Sequence, residues 1–344
     1  MDPIVPFWAA VAWHLVRYAL RLYGSWKFNP IPVPDNPQIR PESVSVIIAT
    51  IDVSEELIPR LQKMLDNEPK EIIIVTSAKL LGGLNGILKE YLPQERSAKI
   101  RALDIPRANK RNQLARGIQA ATGEIIALAD DDVYWTSNLL SQVLAAIESN
   151  PKIGGVTTLE ESHGTDHRSP ETITVWEAFE ARRLHQRNIN ITASAWLDGS
   201  VTVLSGRTSV YRACILKDPA FLYGLTNEYW LWTVHMHCGD DQFITRWLLN
   251  HDWEVTVQAG ATIYCEGLHD SRHVKQILRW SRNARISSVK RVVASKQVWR
   301  YPWLSTHTTL HTYGAVRNLW RLWLLASFCF NPTYATLVEI FLPR

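Results

Sequence analysis

Three short clusters in this chain have residue types and spacings that could do chemistry. The first is Asp130, Asp131 and Asp132, directly behind the apolar run IIALA. Adjacent carboxylates repel one another, and a strand end has no structural need of three, but a bound cation resolves the conflict. Oxygen-only ligands favour Mg²⁺ or Mn²⁺, which commonly bridge protein carboxylates to substrate phosphates. In an extended segment Asp130 and Asp132 share one side while Asp131 faces the other. Standing alone, the triplet would read as a solvated acidic turn, so its weight depends on what accompanies it.

The second cluster is Asp240 and Asp241 in HCGDDQFITRWLLN, ahead of a helical run with Phe243, Ile244, Trp247 and Leu248 on its apolar face. An acid at a helix start can cap it, which accounts for one carboxylate and leaves the other spare. A hydroxyl is a poor nucleophile at neutral pH, and a spare carboxylate within reach can act as its general base. The third cluster is QILRW, residues 276 to 280, inside the basic segment RHVKQILRWSRNARISS. Gln276, Arg279 and Trp280 fall on one helical face. Arg279 could hold a diphosphate through two hydrogen bonds, and Trp280 offers a flat surface to a sugar ring. Taken alone, this pattern is common by chance.

The elements that must position these clusters alternate. SVSVIIATI, EIIIVTS, KIRALDI and EIIALA read as buried strands. EELIPRLQKMLDN and RANKRNQLARGIQAATG read as the helices between them, the second ending in glycine. Such alternation predicts an α/β fold with a doubly wound, mostly parallel sheet, whose ligands bind beyond the carboxyl ends of the strands, where the acid triplet falls. No GxGxxG or Walker-type loop is present, which argues against a dinucleotide dehydrogenase or a P-loop enzyme.

With 344 residues, 46% hydrophobic and 20% charged, the chain can bury a full core. Its net charge of +4 is spread out, without the basic blocks of a nucleic-acid binder. Four cysteines in no paired spacing suggest a reducing environment and a cytosol-facing catalytic domain. Many of the 15 tryptophans lie toward the two ends. Residues 1–27 read as a membrane-associated helix that lies in the lipid interface or spans with Arg17 and Arg21 snorkelling. The proline-rich residues 28–42 form a spacer, and residues 43–290 the catalytic domain. Residues 291–344 read as an interfacial segment. There Trp299, Trp303, Trp320 and Trp323 mix with Arg291, Arg300, Arg317 and Arg321, and Leu322 to Val338 could form a kinked span.

In the order DDD, SGRTSVYR (205 to 212), GDDQFITRWLL (239 to 249) and QILRW, the chain resembles glycosyltransferase family 2, and within it the processive group of hyaluronan, cellulose and chitin synthases. The resemblance implies a GT-A fold, a UDP-sugar donor, Mg²⁺ or Mn²⁺, and inversion at the anomeric carbon with transfer to a carbohydrate or other hydroxyl acceptor. Carried over residue by residue, Asp130 would contact nucleotide and metal, and Asp132 would ligate the metal. Asp241, the last of the GDD element beside Asp240, would be the base. Gln276, Arg279 and Trp280 would close over the diphosphate and the acceptor end. Ser205 and Gly206 would line the acceptor path, Lys110 would face the donor phosphates, and Asp52 would help hold the nucleotide.

Two positions depart from that family. Its second strand usually ends in acids that meet the base, whereas this chain reads VTSAK at 75 to 79, so Thr76 or Ser77 must substitute. The several C-terminal membrane helices of processive members are not seen, which suits a shortened relative, a partial chain, or transfer of one or a few sugars. Other residues invite blander readings. His235, His237 and Cys238 read as packing rather than a zinc site, Arg182 and Arg183 as a solvated helix face, and Cys265 and Glu266 as a strand end near the site. The rival from another class is a catalytically silent membrane-bound scaffold with the same fold.

Overall fold

A computed structural model describes residues 4–163, 173–267, 270–295 and 297–314, with 318, 319 and 322. Ten strands appear among them: β1 Val44–Ala49, β2 Glu71–Ser77, β3 Ile100–Ile105, β4 Ile125–Ala129, β5 Val133–Trp135, β6 Ile153–Ser162, β7 Thr208–Arg212, β8 Tyr229–Trp230, β9 Val234–His235 and β10 Glu254–Cys265. Their order in the main sheet is β3-β2-β1-β4-β7-β6-β10-β5. The pairings β3-β2, β2-β1, β1-β4 and β6-β10 are parallel. β7 runs against both its neighbours, and β5 against β10. The sheet is therefore mostly parallel, and the alternation read from sequence marks its first half.

β1, β2 and β4 are buried almost through their whole length, with runs such as VIIA, IIIV and IIALA apolar on consecutive residues because both faces are covered. One face packs on α2 Leu57–Leu65, α3 Leu81–Tyr91 and α6 Leu139–Ser149. The other packs on α5 Lys110–Ala120, α9 Pro219–Thr226 and α10 Asp240–Asn250. The short helices α4 Gln94–Ser97 and α8 Ala213–Leu216 complete the connections. The reversal at β7 matters for function. It lies beside β4, and Asp130 N donates to Arg207 O at 2.9 Å, so the segment 205–207 runs past the acid triplet.

α7 Val175–Asp198 starts on a capping box, Thr174 with Glu177, and α11 Arg272–Ala294 carries the QILRW residues. α12 Pro302–Thr312 follows. The first helix, α1 Ile4–Lys27, lies along α7: Ser25 and Thr192 hydroxyls meet at 2.9 Å, Arg21 reaches Asn190 Oδ1 at 3.2 Å, and Tyr23 sets its ring edge-to-face on Trp196.

Several expectations are corrected here. No helix among the described residues, α1 included, is long and apolar enough to cross a membrane. Arg291 is not at a headgroup level but buried, with its guanidinium on Gln242 Oε1. Trp303 stacks under Arg17. Trp320, Trp323, Arg317, Arg321 and the stretch from Leu322 to Val338 fall, but for the backbone of Leu322, outside the described residues.

Candidate functional site

The carboxyl ends of β4, β6 and β10 and the start of α10 meet at one end of the sheet. α5 begins there on Asn109, whose side chain accepts from Arg111 N and Asn112 N. That cap fixes Lys110, and its ammonium donates to Asp130 Oδ1 at 2.6 Å and lies 3.7 Å from Asp240 Oδ2. One lysine thus joins the two acidic motifs. The two carboxylates hold the Lys110 pKa up despite the burial that would lower it.

The three acids after β4 diverge. Asp131 accepts from the hydroxyl of Thr50, which also receives Asp52 N at 3.0 Å. Asp132 faces Arg207, and its Oδ1 is buried without a hydrogen-bond partner among the described residues. Burial pushes Asp130 up to about 6; Lys110 opposes this, while Asp132 and Asp240 add to it. Burial likewise lifts Asp131 and Asp132. Asp132 Oδ1 and the second oxygen of Asp130 are hard oxygen donors, few in number, and fit a Mg²⁺ or Mn²⁺ that takes its remaining ligands from phosphate or water.

Asp240 and Asp241 open α10, but neither caps it. Gly239 occupies that position with φ 74°, a left-handed conformation suited to glycine, and makes no side-chain cap. Both acids are thus free of the capping role. Asp241 accepts from Gln242 N at 2.8 Å, and burial together with Asp240 raises it to about 6. Gly206 passes directly beneath: a Cβ there would stand 3.6 Å from Asp241 Cβ and Lys110 Nζ and 3.7 Å from Asp240 Oδ2. Ser205 is buried, accepting from Arg207 N at 3.2 Å and donating its own N to Thr157 at 3.1 Å. The fold therefore gathers Lys110, Asp130, Asp132, Ser205, Gly206, Asp240 and Asp241.

Trp280 joins them through Arg207. The Arg207 guanidinium lies 5.5 Å from its ring centre, and that of Arg183 lies 4.4 Å away. Arg183 is thus no solvated residue, although Arg182 is exposed. Glu180 holds the stack, accepting from Arg183 Nε at 2.8 Å and from Arg207 Nη2 at 2.9 Å. Glu160 takes Arg207 and Arg187. Gln276 is half-buried, and Arg279 is exposed with no bond among the described residues. Asp52 is exposed on the loop after β1, held there through Thr50. Thr76 is fully buried in the sheet and cannot meet a nucleotide base, whereas Ser77 is partly open.

Sequence reading missed the clamp behind the acids. Arg111 is buried and donates to Glu228 at 2.8 Å and to the carbonyls of Cys238 and Gly239 at 2.9 and 3.1 Å. Glu228 also receives Arg246 and Lys290. A basic pair, Lys110-Arg111, with the acids was the available signal. Arg60 was missed too: it bonds Asp131 O and Glu266, and Glu266 N donates to Asp132 O at 3.2 Å. His235 and His237 find partners in Thr226 O and Asn109.

A mostly parallel sheet ending in carboxylates, with a reversed strand and an acid pair at a following helix, is the organisation of GT-A glycosyltransferases. The chain is similar to the mannosyltransferase PcManGT from Pyrobaculum calidifontis in complex with GDP-Man and Mn²⁺, with a TM-score of 0.57 at 15% identity over 96% of this chain and 95% of that one. It is 36% identical to a type 2 glycosyltransferase of Zymoseptoria tritici across 89% of this chain and 64% of the relative. It is 32% identical to the NDP-glycosyltransferase ltbB of Aspergillus luteorubrus across 81% and 68%. Residues 41–283 match the model of glycosyltransferase like family 2, and the chain belongs to that family. It spans about three-fifths of the length of the type 2 relatives it matches.

Proposed function

We propose that the protein is an inverting, metal-dependent glycosyltransferase that moves a sugar from a nucleoside-diphosphate donor, UDP-sugars foremost, to a hydroxyl acceptor. The observation that carries this reading is the division of labour among the buried acids. Lys110 neutralises Asp130 and Asp240, while Asp241 keeps a raised proton affinity above the close-packed backbone of Gly206. A base of that affinity is matched to taking a proton near neutral pH.

In the reaction, Asp241 takes the acceptor's hydroxyl proton as that oxygen bonds to the anomeric carbon, and the carbon–oxygen bond to the diphosphate breaks on the far side. Asp130 and Asp132 would hold the cation, which supplies neutralisation of the departing diphosphate. Arg279, exposed and without a bond among the described residues, is available to the same oxygens, and Trp280 presents its ring to the sugar. Asp52 and Ser77 flank the nucleoside end. The exposed Trp8, Trp13 and Trp26 of α1 support attachment at a lipid interface, which fits a member of the synthase-like branch of the family.

The test is nucleoside diphosphate release from a panel of UDP- and GDP-sugars with Mn²⁺, Mg²⁺ or EDTA, beside Asp241→Asn. Metal-dependent release from one donor, lost in the variant, supports the reading. Silence from folded wild type with acceptor mixtures supplied removes it.

A further inference from the structure

The segment just ahead of the Asp240 and Asp241 pair forms a hairpin that the chemistry above does not use. β8 pairs with β9, Tyr229 opposite His235 and Trp230 opposite Val234, and Thr233 N closes the turn on Trp230 O at 3.3 Å. The two residues at its tip, Leu231 and Trp232, have φ of 50° and 59°. A turn of this kind takes Asn-Gly by preference, and bulky side chains are uncommon there. Here the turn instead holds Trp232 91% exposed and Leu231 60% exposed. Folding gains nothing from that arrangement, since neither side chain is buried. Strain kept at a loop of this sort directs attention to a ligand.

The hairpin is tied to the catalytic acids rather than hanging free. Glu228, at its base, receives Arg111, Arg246 and Lys290, and Lys290 also donates to Tyr229 O at 2.8 Å. The same Arg111 holds the carbonyls of Cys238 and Gly239, immediately before Asp240. Rings then run from the hairpin toward the site: Tyr229 to His235 at 4.9 Å, and His235 to His237 at 4.6 Å. His237 ends on Asn109, the neighbour of Lys110.

We propose that this hairpin is an acceptor arm, on which a carbohydrate chain lies against Trp232 and the Tyr229, His235 and His237 rings with its terminal hydroxyl delivered to Asp241. A sugar chain suits the strip better than lipid does. The rings past the tip carry polar edges that can meet hydroxyls, their faces can meet C–H groups, and the strip leads to the carboxylates that require a hydroxyl. The inference rests on the glycosyl-transfer reading, and its test separates the two.

The test uses the full-length protein labelled with 5-fluorotryptophan and a double variant, Leu231→Asn with Trp232→Gly, whose turn keeps the hairpin closed without the side chains. The ¹⁹F resonance absent from the variant belongs to Trp232. We expect pentasaccharides of β-1,4-glucose or β-1,4-N-acetylglucosamine to shift it, with binding at least ten-fold weaker in the variant. Donor hydrolysis to water should stay within two-fold of wild type. Equal pentasaccharide affinity in the variant, no shift with either sugar, or a shift given only by phosphatidylcholine and phosphatidylserine vesicles would overturn the acceptor arm. Absence of nucleoside diphosphate release by wild type would instead remove the transfer reading, while the binding result would still stand.

Discussion

Lys110 Nζ stands 2.6 Å from Asp130 Oδ1, and the same ammonium faces Asp240 at 3.7 Å. Two acidic motifs, more than a hundred residues apart in the chain, thus share one positive charge. Lys110→Gln keeps much of the stem and removes that charge, leaving the carboxylates to repel one another when ionised. We expect a loss of about 1–3 kcal/mol at pH 7.5, of the size found when a partly buried ion pair loses one partner. At pH 5, Asp130 and Asp241, which titrate near 6, are already largely protonated in wild type, so the deficit should shrink. Thermal melts at the two pH values check this. Equal deficits at both would show that Lys110 is not balancing ionised carboxylates.

Asp241 ties function and stability to one titration. As a base it works only ionised, so the rate of transfer should rise through about pH 6 and level off above 7. Its folded pKa lies above the ordinary value of 3.8, so the folded state binds more protons than the unfolded chain between those two values. Wild type therefore loses stability as pH rises from about 4 to about 6. Asp241→Asn should abolish transfer yet leave the protein about 1–2 kcal/mol more stable at pH 7.5, with the gain vanishing below pH 4. An unchanged melting temperature at pH 7.5 would mean that this carboxylate carries no electrostatic strain.

Much of this site could be read from the chain because runs such as IIALA and EIIIVTS have no other stable use than buried strands, and an acid triplet after one of them marks a sheet's ligand-binding end. Pairings across the sheet were not readable. Nothing local announces that β7 runs antiparallel to β4, yet that reversal brings Gly206 beneath Asp240 and Asp241. Arg183 sits in a helix whose charges look solvated, and only the approach of α11 turns it onto Trp280. The capping role offered to one acid of the GDD went instead to Gly239, since a left-handed residue at the helix start lets both carboxylates face the site.

Arg279 and Glu180 should separate activity from stability. Arg279 is exposed and bonded to nothing among the described residues, so Arg279→Ala should leave the melting temperature within about 1 °C while lowering kcat about 100-fold, as loss of a charge stabilising a leaving group does. Glu180 is buried between Arg183 and Arg207, and Glu180→Ala strands Arg183 and leaves Arg207 with Glu160 alone, at a cost of about 3–5 kcal/mol. Paired melts and rates on the two variants test this. An Arg279→Ala protein that melts early but turns over normally would reverse the assignment.

The cation prediction follows from ligand count. Among the described residues Asp132 Oδ1 is buried and unbonded, Asp130 has one oxygen committed to Lys110, and no group of three or more metal-ligating acids, histidines or cysteines forms. Two carboxylates make a weak site for a cation that wants six oxygens, so Mn²⁺ alone should bind with a Kd in the millimolar range. A nucleoside diphosphate brings the missing oxygens, and with UDP or GDP present the apparent affinity should tighten at least 100-fold, about 2.7 kcal/mol. Linkage requires the same factor for nucleotide with metal present. Calorimetric titration of Mn²⁺ with and without nucleotide measures it. In Asp132→Ala the coupling should fall to less than ten-fold, and full coupling in that variant would move the cation to other ligands.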